Sequence, residues 1–133
     1  MRCEILYQPS YSLAVIQVEP GREIQAEAGA MVSMSDNIEL QTEMKGGFLG
    51  ALGRSVLGGE SFFTSKYRAR GGVGELTLAP ALPGDMALLS LNGETVYLQS
   101  GAFIAGDAEL SIDAKWGGAK GFFSGGGLFL LRV

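Results

Sequence analysis

An internal repeat with a spacing of 72 residues constrains the fold of this chain more than any other feature. Residues 14–47 recur, in pattern and partly in identity, 72 positions further along. The aligned glycines are Gly21 with Gly93, Gly29 with Gly101, and Gly46 with Gly118. Apolar positions between these glycines also coincide, whereas the polar residues differ between the two units. Shared glycines and a shared apolar face specify backbone conformation and a core, so the repeat predicts a duplicated fold and indicates no active site.

The second repeat unit is shorter than the first. We predict a single domain over residues 1–133, with repeat units at about 11–82 and 83–133, because 133 residues suit one hydrophobic core. After Gly118 only 15 residues remain, fewer than the first unit has after the equivalent Gly46. We expect the second unit to be truncated, with its missing part lost or supplied by a partner chain.

Short apolar runs separated by turn residues predict a mainly β protein. The predicted strands are 13–18, 31–34, 38–44, 62–70, 75–78, 86–91, 95–99, 103–105 and 109–114. Asn92-Gly93 is the sharpest hairpin signal. Regular strand spacing predicts a double-stranded β-helix or β-sandwich-like fold with internal duplication and at most one or two short helices.

Charge and composition narrow the classes of partner. The chain is 47% hydrophobic and 18% charged, with a net charge of -4, which predicts an ordered globular protein. Nucleic-acid binding is disfavoured because binders normally carry a basic stripe. Lys66, Arg68 and Arg70 would share one face of a strand, and a solvated sheet face explains them best.

Reactive residue types are scarce. Cys3 is the only cysteine and there is no histidine, so the sequence offers no internal disulfide and lacks the commonest metal ligand and general base. We therefore predict no catalytic residue, no cofactor and no metal site, and hence a protein that is not an enzyme. Neither a secretory signal nor a run of roughly 18 apolar residues is present, which predicts a cytoplasmic protein that could be peripheral to a membrane.

An apolar segment fenced by glycine pairs, GGFLGALGRSVLGG at 46–59, is the first candidate site. It would form a short helix or a glycine-rich loop. Its candidate interface or membrane-contact residues are Phe48, Leu49, Leu52, Val56 and Leu57. A plug at the end of a barrel or a subunit contact is the first interpretation; lipid contact is the second, since the polar side lacks the basic residues of an interfacial helix.

Aromatic residues among glycines in the second unit form the other candidate site. Phe103, Trp116 and Phe122 could line a small-ligand pocket. Close packing of aromatic rings against glycine backbone is the alternative. The run KWGGAKGFFSGGG matches neither phosphate-binding glycine motif, so a phosphate site has little support.

Several long motifs resemble one known family. AEAGAMVSMS, GGESFF, LAPALPGD and KWGGAKGFFS look like the altered-inheritance-of-mitochondria type family, and the resemblance covers nearly the whole chain. It implies a β-rich fold similar to that of the tryptophan RNA-binding attenuation protein, a double-stranded β-helix-like arrangement, and a homotrimer. Fungal relatives are associated with the mitochondrial inner membrane and bacterial relatives look cytosolic. The resemblance supplies no catalytic residues, and family members are usually longer than this chain.

Two functions of different classes follow. The first is a non-enzymatic, β-rich oligomeric assembly or scaffold protein, associated with a membrane through the glycine-flanked segment. The second is a small-ligand binding module with an aromatic and glycine-lined pocket. A likeness to an RNA-binding fold does not imply RNA binding, because fold does not fix function.

Overall fold

The computed structural model describes residues 2–43, 64–99, 101–116 and 129–133. Within these ranges the chain forms strands and no helix, which confirms the prediction of a mainly β protein. The strands are β1 (Arg2–Leu6), β2 (Leu13–Val18), β3 (Glu23–Glu27), β4 (Met31–Met34), β5 (Ile38–Glu43), β6 (Thr64–Ala69), β7 (Gly74–Leu78), β8 (Tyr97–Gln99), β9 (Ala105–Asp107), β10 (Asp113–Trp116) and β11 (Phe129–Arg132).

The strands form three antiparallel sheets. The orders are β1-β2-β7-β4, β5-β6-β3-β9 and β10-β11-β8. The chain divides into two compact units: the first holds residues 1–88 and 104–108, and the second holds 89–103 and 109–133. Both four-stranded sheets lie in the first unit, and the three-stranded sheet lies in the second.

The first unit has a sandwich-like core between its two sheets. In β2, side chains alternate between half-buried and buried, which is the two-residue period of a strand with one face on a core. The buried apolar residues come from both sheets: Ala14, Ile16, Val18, Ile24, Ala26, Ala30, Ile38, Tyr67, Ala69, Leu76 and Leu78. Together they support the predicted sandwich-like architecture; the finer assignment to a double-stranded β-helix remains a prediction.

Strand order is similar in two of the three described sheets. In one sheet β6 lies between β5 and β3, and in another β11 lies between β10 and β8. On the 72-residue offset, β8 corresponds to β3 and β10 to β5. Gly21 and Gly93, which align in the repeat, both adopt positive φ, at 83° and 99°, a conformation that glycine adopts without strain. The boundaries of the repeat units and the single-domain assignment remain predictions.

Several segments differ from the sequence-based expectation, among them β3, which is not one of the predicted strands. Residues 86–91 were expected to form a strand equivalent to β2, but they form none. β2 has a hydrogen-bonded neighbour on each side, β1 and β7, whereas no described strand flanks 86–91. Without a ladder, an apolar run stays irregular. Conversely, β1 was not predicted, although Arg2 and Glu4 alternate with less exposed residues as in a strand; it pairs with β2 along its whole length.

Candidate functional site

Most of the predicted site residues lie outside the described part of the chain. These are Phe48, Leu49, Leu52, Val56 and Leu57 of the glycine-flanked segment, together with Phe122. Trp116 ends β10, where its backbone lies opposite Phe129, and only its backbone is described. Phe103 is buried, with 5% of its surface exposed. The aromatic pocket therefore remains a prediction.

Cys3 and Tyr67 are the titratable side chains of the described ranges whose pKa is raised. No group of three or more histidine, cysteine, aspartate or glutamate side chains in these ranges could hold a metal ion. Burial raises the pKa of the Cys3 thiol, which disfavours the thiolate that a nucleophile needs. Burial likewise raises the pKa of Tyr67, a core residue of β6.

Basic side chains on β6 form part of an alternating charged surface. Arg68 lies in register between Glu23 of β3 and Glu39 of β5. Arg70 forms an ion pair with the same Glu39. Acidic neighbours on both flanking strands reduce the positive potential that a phosphate backbone requires. Arg68 and Arg70 are therefore exposed basic residues with acidic neighbours on the flanking strands.

An aspartate joins a proline-rich loop to the chain before β2. The Asp85 Oδ1 atom accepts hydrogen bonds from Ser12 Oγ at 2.8 Å, Gln8 Nε2 at 2.9 Å and the Met86 backbone N–H at 2.8 Å. The Ser12 bond, followed by those from Gln8 and Met86, lowers the pKa of the Asp85 carboxyl. Three donors on one carboxylate oxygen stabilise its charged form and connect the loop to the chain before β2, so Asp85 forms a structural junction.

Exposed apolar side chains occur on strands at the sheet edges. Val32 and Met34 on β4 are 56% and 40% exposed, Leu40 on β5 is 42% exposed, and Tyr97 on β8 is 61% exposed. All three strands are at the end of their sheet in the described chain. Large apolar groups beside open backbone hydrogen-bonding groups are features of a protein-binding edge.

Two of these edges are unprotected by charge. β4 reads MVSM and β8 reads YLQ, with no charged residue in either. The four other edge strands of the described sheets, β1, β5, β9 and β10, each contain at least one charged residue. Charges on edge strands are a common device against unwanted pairing. Their absence from β4 and β8 makes these edges the strongest candidate functional site.

The sequence-based interpretation did not single out Val32, Met34 or Tyr97. A signal was present, since both strands were predicted and both lack charge. Strand order, which decides whether a strand is central or at an edge, was not available from the pattern. The expected contact was instead assigned to the most apolar segment, at 46–59.

The described ranges contain no helix that is long and apolar enough to span a bilayer.

Comparison with known proteins identifies relatives along the whole chain. An uncharacterized protein of Streptococcus pyogenes serotype M6 is 33% identical over 141 residues, covering 100% of this chain and 56% of that protein. The crystal structure of protein SPYM3_0169 from Streptococcus pyogenes superposes with a TM-score of 0.77 at 32% identity, covering 98% of this chain and 59% of that one. This chain thus spans less than two thirds of the length of both relatives.

The family comparison agrees with the motifs. The model of the family described as "Mitochondrial biogenesis AIM24" matches residues 3–133. The predicted resemblance is confirmed, since the match covers nearly the whole sequence. This chain belongs to the mitochondrial biogenesis AIM24 family.

Proposed function

We propose that this protein is a non-enzymatic assembly protein, which functions by associating with further protein chains through the edges of its β-sheets. One observation carries the proposal: Val32, Met34 and Tyr97 place large exposed apolar surface on edge strands that lack charge. Isolated exposed apolar residues are ordinary on protein surfaces. Apolar residues on an open, uncharged strand edge favour strand addition by a partner.

Energetics support association through such an edge. A partner strand would satisfy backbone N–H and C=O groups and remove apolar side chains from water at the same time. Burying apolar surface contributes about 25 cal/mol per Å², and each cross-strand pair of side chains adds about 0.2–1 kcal/mol. Several short ladders would therefore be needed for a stable complex, which favours symmetric assembly over a single contact.

The finer parts of the proposal rest on the sequence. Homotrimer formation follows from the family resemblance. Peripheral membrane contact follows from the apolar segment containing Phe48 and Leu52, which lies outside the described residues. The proposed cytoplasmic location likewise rests on the sequence alone. Small-ligand binding beside Phe103 is the alternative function, and it predicts a bound small molecule instead of a protein partner.

The mass of the protein in solution tests the proposal. Size-exclusion chromatography with light scattering, over a hundredfold range of concentration, should give a mass that rises toward a multiple of the 14.0 kDa chain. Native mass spectrometry of the same sample should show the multiple without added mass. A chain that stays monomeric at every concentration would overturn the proposal, and a monomer with a retained small molecule would establish the alternative.

A further inference from the structure

We infer that β8 of one copy of this chain pairs with β4 of a second copy, as an antiparallel ladder in which Tyr97 lies opposite Met34. The inference rests on the proposed function and identifies its contact surface. It derives from the internal repeat, because a strand of the first repeat unit pairs with a strand of the second repeat unit within one chain. That pairing is the ladder between β3 and β9.

The ladder between β3 and β9 gives the template. Its register places Ile24 opposite Asp107, Gln25 opposite Gly106 and Ala26 opposite Ala105. Glu27 donates its backbone N–H to Ile104 O at 2.8 Å, and Ala108 donates to Glu23 O at 3.0 Å. Backbone groups alternate between the two sides of a strand. Residues 23, 25 and 27 of β3 therefore point toward β9, and residues 104, 106 and 108 point toward β3.

The repeat transfers each partner of that ladder to an edge strand. Adding 72 to residues 23, 25 and 27 gives 95, 97 and 99, which belong to β8 and its approach. Subtracting 72 from residues 104, 106 and 108 gives 32, 34 and 36, which belong to β4 and the following turn. β8 is thus equivalent to β3, and β4 is equivalent to β9.

The backbone of β8 points outward at the required positions. Val96 and Val133 exchange two backbone hydrogen bonds of 2.9 Å, so Val96 points toward β11. By alternation, the N–H and C=O groups of Tyr97 point to the opposite side. That side has no strand in the described part of the chain, since β8 ends its sheet.

The backbone of β4 points outward in the complementary phase. Ser35 donates its N–H to Glu75 O of β7 at 2.9 Å, so the backbone of Ser35 points toward β7. Met34, its neighbour, points its backbone groups away from β7, toward the edge where the described sheet ends. At Tyr97 and Met34 both edges therefore direct their backbone groups outward, as the template requires. On β4 this holds from Ser33 onward, because the register against β7 shifts between Met31 and Ser33.

Applying the template register to these edges defines the contact. Val96 would lie opposite Ser35, Tyr97 opposite Met34, and Leu98 opposite Ser33. The apolar side chains of Tyr97 and Met34, both exposed in the single chain, would then pack across the new ladder. Neither strand contributes a charge that the contact would have to desolvate. A second copy is the natural occupant because it carries the strand that the repeat matches to each edge.

The contact is heterologous, since β8 and β4 are different surfaces. Each added copy leaves one β8 edge and one β4 edge unpaired until a ring closes. This geometry predicts a closed ring of a few copies, or an open chain whose mass increases with concentration. A two-fold dimer that buries the same surface on both copies is not expected.

Charge variants test the pairing of Tyr97 with Met34. Met34→Lys and Tyr97→Lys should each weaken association by about tenfold or more, because each places a charge in the ladder. The double variant Met34→Lys/Tyr97→Glu should restore association, since opposite charges then face each other at every contact. Leu89→Lys is the matched control: Leu89 is exposed but lies on no strand, so its variant should associate as the wild type does.

Cross-linking measures the register directly. In a Cys3→Ser background, a Met34→Cys chain mixed with a Tyr97→Cys chain should form an intermolecular disulfide. Opposed residues of such a pair lie about 5.5 Å apart between Cα atoms, within the range of about 4.4–6.8 Å that disulfides accept. Leu40→Cys, on the charged edge strand β5, should not cross-link to Tyr97→Cys.

The outcomes separate this inference from the proposed function. An oligomer that is unaffected by Met34→Lys and Tyr97→Lys, with no cross-link, would overturn the β8–β4 contact while leaving the assembly function intact. A monomer at every concentration would overturn both. A monomer whose Tyr97 and Met34 amides resist hydrogen exchange would show that another segment of the same chain covers these edges, and would also overturn the contact between copies.

Discussion

Gly74 shows how a single residue sets the spacing within the sandwich. It begins β7 and is buried, and a Cβ atom placed there would come within 2.5 Å of Ile38 Cγ1 and 2.8 Å of Ile38 Cδ1. A third contact, with Ala69 Cβ at 3.3 Å, lies on β6. The absence of a side chain at Gly74 therefore allows Ile38 of β5 to pack closely. Close approach to neighbouring side chains explains this glycine, since its backbone φ is not positive.

Gly74→Ala should destabilise the fold by about 1–3 kcal/mol, the usual cost of overpacking a core. Ile38 is buried and both of its outer carbons collide, so it cannot move aside without disturbing β6. Urea unfolding would measure the change in free energy. Gly72→Ala is the matched control, because no heavy atom lies within 4 Å of the added methyl group and its φ is not positive. Equal stability of the two variants would contradict the packing argument.

At the scale of the element, the Asp85 junction attaches a loop to the chain beside β2. Besides its side-chain bonds to Ser12 and Gln8, the loop is attached through the backbone, where Ser12 donates its N–H to Gly84 O at 3.1 Å. An isolated parallel bridge joins Tyr11 to Gly84. These contacts fix residues 81–86 beside the start of β2. The loop is therefore part of the folded first unit, although its sequence alone is that of a boundary linker.

Acid should weaken this junction. The pKa of Asp85 is lowered in the folded protein by its hydrogen bonds, so the carboxylate stabilises the fold above its unfolded pKa, near 4. That contribution is lost as the pH falls through the folded pKa. Asp85→Asn should therefore lower the melting temperature at pH 6 and reduce the further loss between pH 6 and pH 3. Thermal unfolding followed by circular dichroism would measure both.

Asp36→Asn provides the control for acid unfolding, because Asp36 is an exposed carboxylate in the turn before β5. At pH 6 its melting temperature should match that of the wild type, because Asp36 is exposed. If Asp85→Asn and Asp36→Asn gave the same pH dependence as the wild type, the Asp85 hydrogen bonds would not contribute to stability.

Strands differ in how well the sequence predicts them, because a strand also needs a hydrogen-bonded partner strand. β2 and β4 have the bounds that their apolar runs predict. Residues 86–91 have the same pattern as β2 through the repeat, yet no described strand pairs with them. β1 was not predicted and is nevertheless a strand, because all five of its residues pair with β2. Local periodicity predicts strand preference, whereas pairing decides the outcome.

At the scale of the whole molecule, the sequence predicts the duplication and misses its consequence. Aligned glycines and apolar positions were enough to expect two similar units. Sheet order was needed to see that β3 and β9 pair while their equivalents, β8 and β4, are left at edges. Which strand lies beside which is a non-local property, so the uncharged sequences of β4 and β8 do not by themselves identify these strands as edges. Apolar sequence predicts a contact at 46–59, whereas the candidate site in the described chain is defined by the strand order of the sheets.

Hydrogen exchange would test both the stability of the units and the assembly of the molecule. In the first unit, β2, β6 and β7 are central strands that contribute to the buried core, so their amides should exchange only through global unfolding. Within β8, slow and fast amide exchange should alternate from one residue to the next. Val96 and Leu98 point toward β11 and should be protected in dilute solution, whereas Tyr97 and Gln99 point to the open edge and should exchange rapidly.

Raising the protein concentration should slow the exchange of the edge-facing amides only. When β4 of a second copy binds, Tyr97 gains a hydrogen-bonded partner, and its amide exchange should slow together with that of Met34. Amides that already point toward β11 or β7, such as Leu98 and Ser35, should change little. Residue-resolved exchange followed by nuclear magnetic resonance distinguishes the two sets. Uniform slowing along β8 would instead indicate general stabilisation of the second unit, because edge pairing affects alternate residues and global stability affects all of them.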